Sequence, residues 1–174
     1  MDAHYDIVMK ARQQAGPGSR FYFAYSTILD RAAFEEWRGQ HSYEFFDLPA
    51  GRAGEAVDLT LVYDFPSRWW GGRVAGLKDE KGSVVHGLVF EIAEKDWPII
   101  QHKEGGVTGM CVERPVQVKL ANGNVLDAVA FTTTPTRASV DGPVSDRFVE
   151  AITRGAAAAK LPAEWSAKIR ALAR

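Results

Sequence analysis

The run Phe21-Tyr22-Phe23-Ala24-Tyr25 is apolar at every position, too short for a separate helix and too rich in β-prone aromatics for a loop; it predicts a strand. Asp30 then stands at the N-cap position of Arg31-Ala32-Ala33-Phe34-Glu35-Glu36-Trp37, so the segment reads strand, tight turn, helix. Residues 56–64 alternate as a strand does, and Pro66-Ser67 and Gly71-Gly72 punctuate the stretch after them. Val84 to Ile92 predicts the next strand, and Ala93 to Gln101, with Asp96-Trp97-Pro98 inside it, a short helix. Residues 112–120 and 125–134 flank Ala121-Asn122-Gly123-Asn124, whose Asn-Gly step favours positive φ and predicts a hairpin. From Pro143 the period becomes helical. Ser145 can cap a helix over 146–158, and Leu161-Pro162-Ala163-Glu164 opens a last helix with Trp165, Ile169 and Leu172 at helical spacing. At the other end, Tyr5, Ile7, Val8, Met9 and Ala11 predict a short helix over residues 2–15, stopped by Gly16-Pro17-Gly18.

Strands joined by hairpins, with helices early and late, predict an α+β domain with a curled or closed sheet rather than a regular βαβ array. Gly16-Pro17-Gly18 lacks Rossmann or Walker spacing and Gly71-Gly72 lacks the Lys-Ser/Thr pair of a phosphate loop, so no nucleotide cofactor is expected. The organisation expected is an N-terminal helical extension over residues 1–19 and one domain over 20–174.

Composition narrows the partners. With 174 residues, 46% of them hydrophobic, the chain has the material for one core and would be cramped as two domains. A formal charge of −1, with Lys and Arg scattered, offers no basic field for nucleic acid. The acidic residues near Met1 and the lack of an apolar run approaching roughly 18 residues argue against a secretory signal or membrane span, and a cytoplasmic location is expected. Cys111 is the single cysteine, and His4, His41, His86 and His102 show no ligand spacing, so no metal is expected. Composition gives no patch from which to argue a homodimer, which stays open.

Two segments carry candidate chemistry. The junction of the aromatic strand with Ser26-Thr27-Ile28-Leu29 presents backbone N–H groups that could hold an anion, and Glu104, in Lys103-Glu104-Gly105-Gly106-Val107-Thr108-Gly109-Met110, is a glycine-flanked carboxylate able to move a proton. The pair resembles the two signatures of the γ-glutamylcyclotransferase-like (AIG2-like) family, Tyr-Phe-Ala-Tyr-Gly-Ser-Asn-Leu and Glu-Gly-Val-x-x-Gly-x-Tyr. Other likenesses keep the family's order along the chain. Trp69-Trp70-Gly71-Gly72 is similar to its Trp-x-Gly-Gly loop, and Gly82 to Glu91 to its Gly-x-x-Val-Trp-Gly-Val-Val strand. Pro143 to Phe148, Ile152 to Ala156 and Leu161 to Trp165 are similar to its C-terminal motifs.

The resemblance implies a mixed, β-barrel-like sheet with surrounding helices, and a reaction in which an amine attacks a γ-glutamyl-type amide within one molecule. An amine is released and a cyclised product such as 5-oxoproline forms, without cofactor or metal. It implies Glu104 as general acid and base, and Tyr25, Ser26, Thr27, Ile28 and Leu29 as substrate-binding residues. Trp69, Gly105, Met110, Cys111 and Phe131 are implied as pocket lining. The sequence departs from the family where that chemistry is kept. Gly-Ser-Asn has become Ser26-Thr27-Ile28, and two tyrosine positions are Cys111 and Phe131, which puts the family's usual substrate in doubt. The alternative is a non-catalytic small-molecule binding or interaction domain on the same fold, since one fold hosts many functions.

Overall fold

A computed structural model describes residues 12–13 and 15–174. Strand β1 (Arg12–Gln13) is followed by β2 (Ser19–Ala24), a 3-10 turn over Thr27–Leu29 and helix α1 (Arg31–Gln40). Strands β3 (Arg52–Ser67) and β4 (Gly72–Ala93) form a long hairpin, then come α2 (Trp97–Lys103), β5 (Cys111–Leu120) and β6 (Val125–Thr133). Helices α3 (Asp146–Ala158) and α4 (Ala163–Leu172) complete the chain.

The sheet order is β1-β6-β2-β4-β3-β5, and a further β5–β6 pairing closes the last five strands into a ring. All contacts around the ring are antiparallel except β2 against β6, where Tyr22 stands opposite Val129. Closure removes the free edges that an open sheet would expose. The core takes aromatic residues from β2, aliphatic residues from all five ring strands, Phe34 of α1, Ile99 and Ile100 of α2, and Phe148, Ile152, Trp165 and Ile169 of the last two helices. Burying each such side chain contributes on the order of 1.5–3 kcal/mol.

The curled α+β architecture expected from the sequence is the one found. The hairpin over Asn122-Gly123 forms, with Gly123 at φ +85, and Ser145 caps α3 by accepting from the Phe148 amide at 3.1 Å. Three expectations are corrected. Arg12–Gln13 is a strand paired in parallel with Val125–Leu126, not helix; the rest of the helix expected over 2–15 lies outside the described residues, apart from Ala15. Asp30 precedes α1 as expected but makes no side-chain cap. Its buried Oδ2 accepts instead from Arg154 of α3 at 2.7 Å. Finally, β4 begins at Gly72 rather than Val84. Its first half pairs with Leu59–Ser67, and residues 80–83 bulge opposite Asp58, which is held at φ 59 while its Oδ1 accepts from Gly82 N at 2.9 Å.

Helix α3 lies against the turn before α1. A Cβ on Gly155 would fall 2.7 Å from both Leu29 C and Asp30 N, so this crossing needs glycine's missing side chain. Among the described residues no helix is long and apolar enough to cross a membrane.

Candidate active site

Helix α2 forms over Trp97–Lys103 with Pro98 in its first turn, where its missing N–H costs nothing, and Trp97, Ile99 and Ile100 buried. It stops because Gly105 adopts φ +77 directly after Glu104, while Glu104 N still donates to Ile100 O and Gly106 N to Gln101 O. The chain then folds back on Gly105, whose carbonyl accepts from Met110 N at 3.0 Å, Cys111 N at 3.2 Å and Thr108 Oγ1 at 3.2 Å. Glu104 is thereby fixed at the C-terminal end of a helix, where the macrodipole favours cations over carboxylates. Its stabilising contact comes from another element.

That contact is Tyr22 of β2, whose hydroxyl donates to Glu104 Oε1. The Tyr22 ring is boxed by Trp97 and Phe131 edge-on, each at 6.2 Å between centroids, and by Phe90 stacked at 6.3 Å. Burial, and then the charge of Glu104, push the Tyr22 phenol well above its ordinary value, so it stays a donor through neutral pH. Tyr25 lies in the same electrostatic neighbourhood, and burial raises its phenol in the same way, but its hydroxyl is spent on Phe131 O at 2.5 Å.

The two segments singled out in the sequence meet a second time: Lys103 Nζ donates to Thr27 Oγ1 at 3.4 Å. In the 3-10 turn Thr27, Ile28 and Leu29 are all buried, and Ser26 is half-buried. Ile28 and Leu29 belong to the core cluster, and Leu29 packs on α3 at Gly155.

Cys111 opens β5 opposite Thr133 and is half-buried; burial first, then Glu104 and Asp64, push its thiol up to about 12. Phe131 is buried against Trp97 and beside Gly106, and Met110 covers Gly105 while remaining exposed. Trp69 stands apart. It is 64% exposed on the β3–β4 turn, its carbonyl accepts from Arg147, and no contact ties it to Glu104.

Three neighbours are not distinguished by sequence alone. Tyr22 is one of two tyrosines in its aromatic run. Asp64, which accepts from Thr133 Oγ1 at 2.7 Å, is one polar position of an alternating strand, and Lys103 is a charge at a helix end. Open clefts of about 350 and 330 Å³ lie beside Thr60 and Lys168 and beside Asp30 and Arg147, and neither is lined by Glu104. No three His, Cys, Asp or Glu side chains are grouped to hold a metal ion among the described residues.

Residues 84–169 match the profile of the AIG2-like family. A comparison with curated protein sequences found no match. Among solved structures, a γ-glutamyl cyclotransferase is 22% identical with a TM-score of 0.71, over 88% of this chain and 87% of that one. A human protein described as uncharacterized is 23% identical with a TM-score of 0.71, over 88% of each chain. YkqA from Bacillus subtilis is 19% identical with a TM-score of 0.71, over 97% of this chain and 58% of its own. At such identities these likenesses establish the γ-glutamylcyclotransferase-like fold, and over residues 84–169 the chain is similar in sequence to the AIG2-like family.

Proposed function

We propose that the protein is a cyclotransferase acting on a γ-glutamyl-type amide, with Glu104 as the proton shuttle. In this reaction the substrate's α-amino nitrogen attacks its own δ-carbonyl carbon. The new C–N bond closes a five-membered ring, the old C–N bond breaks, and an amine departs. The α-ammonium must first lose a proton and the departing amine must gain one; a single carboxylate can do both. Curling the substrate contributes the rest, because attack within one molecule avoids much of the entropy cost of bringing reactants together.

The observation that carries this reading is the joining of the two sequence segments at one place. Tyr22 holds the Glu104 carboxylate, and Lys103 beside it reaches Thr27. The amides of Thr27 and Ile28, first in their 3-10 turn, have no acceptor among the described residues and would serve as donors to the developing oxyanion. The solved relatives support it at the level of fold, one of them being named a γ-glutamyl cyclotransferase.

The buried, apolar Ile28 and the engaged Tyr25 hydroxyl favour a second reading, a domain that binds a small molecule without converting it. Incubating the protein with a panel of γ-glutamyl amines, amides and peptides, and detecting 5-oxoproline by mass spectrometry, separates the two. Turnover is expected and should fall by about 10²-fold or more in Glu104→Gln. Turnover unchanged in that variant removes Glu104 from the mechanism, and ligand-induced stabilisation without product favours the binding domain.

A further inference from the structure

We propose that Lys103 is a specificity-determining residue of the Glu104 site, its ammonium binding a carboxylate that the substrate carries close to its reacting amine. The identity of that ligand rests on the cyclotransferase reaction proposed for Glu104.

Lys103 is half-buried at the last position of α2, one residue before Glu104. Its Nζ has one hydroxyl acceptor, Thr27 Oγ1 at 3.4 Å, and sits 5.8 Å from the centre of the Trp37 ring. Among the described residues no carboxylate lies within 4.0 Å of it, whereas two arginines of the sheet are matched. Arg114 pairs with Asp79, and Arg20 with Glu94. An ammonium has three N–H donors, and one long contact to a neutral hydroxyl replaces little of the hydration that burial removes. Burial accordingly lowers the Lys103 pKa, with Glu104 opposing that shift.

Glu104 is the nearby charge that supports this ammonium, but its Oε1 already accepts from Tyr22, and its charge disappears each time it takes a proton. At that moment the site needs another anion. A substrate carboxylate supplies one and makes the charge-assisted hydrogen bonds that Lys103 lacks. Two nearby polar side chains do not compete for the role: the Tyr25 hydroxyl is bound to the Phe131 carbonyl, and Cys111 holds a protonated thiol. Where Ile28 and Phe131 present only carbon, Lys103 restores polar recognition from a different element.

Calorimetric titration with 5-oxoproline and with its uncharged carboxamide tests this. The wild-type protein is expected to prefer the acid by roughly 10- to 100-fold at neutral pH. Lys103→Met should abolish that preference, and Lys103→Arg should keep most of it, which loss of packing alone would not produce. Equal affinity for acid and amide in the wild type, no binding of either at millimolar concentration, or a preference that survives in Lys103→Met overturns the proposal. The site and the reaction fail separately. Acid preference that depends on Lys103, without turnover of the amide panel, removes the reaction and leaves this site. Glu104-dependent turnover with no acid preference removes this site and leaves the reaction.

Discussion

The Tyr22 hydroxyl donates to Oε1 of Glu104 across 82 positions of sequence, tying the second strand of the barrel to the end of α2. Because three aromatic neighbours fix the Tyr22 ring, the donor is aimed in advance and the carboxylate is held at one orientation. Tyr22→Phe keeps that packing and removes the donor. Loss of a hydrogen bond to a charged group costs about 1.5–3 kcal/mol, so turnover is expected to fall roughly 10- to 100-fold. Steady-state kinetics should show the loss chiefly in kcat; wild-type kcat in this variant would mean that Tyr22 does not position the carboxylate.

Cys111 should behave as an inert thiol. With its pKa pushed up to about 12, the thiolate is scarce at pH 8. Against an ordinary cysteine near 8.5 the difference in thiolate fraction is roughly 10³-fold. Alkylation by iodoacetamide is therefore expected to be slower by about that factor in the native protein than in the urea-unfolded chain. Comparable rates in the two states would show the thiolate to be stabilised.

The crossing of α3 over the turn before α1 gives a packing prediction. Gly155→Ala places a methyl group 2.7 Å from backbone atoms of Leu29 and Asp30, which cannot move aside as a flexible side chain could. Overpacking of this kind costs about 1–3 kcal/mol. The urea midpoint should drop accordingly, and turnover should fall with it, since the displaced segment continues from Thr27. A variant as stable as the wild type would show that the helix can shift freely.

Legibility in the sequence depends on how local each signal is. Asn122-Gly123 and Ser145 act through their own neighbours, so their hairpin and cap can be read directly. Glu104 is legible through its glycine-rich surroundings, and Gly105 at φ +77 shows why a glycine is needed there. The first half of β4 is not. Gly72, Gly76 and the charged run Lys78-Asp79-Glu80-Lys81 look like a loop, and only pairing with Leu59–Ser67 makes most of this stretch a strand. Nor does the sequence separate the hydroxyl of Tyr22 from that of Tyr25 as the one that meets Glu104. Strand register and the distant α2 decide which ring reaches the carboxylate. Lys103 is hidden for the same reason, because a lysine at a helix end reads as a solvated charge until the fold brings Thr27 and Trp37 against it.

Acid should weaken the fold in a window set by two histidines. His86, tilted against Trp165 at 5.3 Å, has its pKa lowered from 6.5 mainly by burial and by Lys168, with Glu55 and Glu164 opposing. His102, hydrogen-bonded to Tyr43 at 3.0 Å, is lowered by burial first and by His41 second. In both cases the folded protein binds a proton less readily than the unfolded chain does. Above 6.5 neither state is charged and full stability is present. As pH falls below that value the unfolded chain protonates first, and stability declines until the folded-state values are passed. Asp47, lowered from 3.8 chiefly by its hydrogen bond to Arg31, loses its contribution only as pH falls through its unfolded value and below, so it adds little to a comparison made above pH 5. The urea midpoint is therefore expected to be lower near pH 5.5 than near pH 7.5, and the His86→Gln, His102→Gln double variant should show a shallower decline. An equal or higher midpoint at the lower pH would mean that both imidazoles accept protons in the folded state as readily as in the unfolded one.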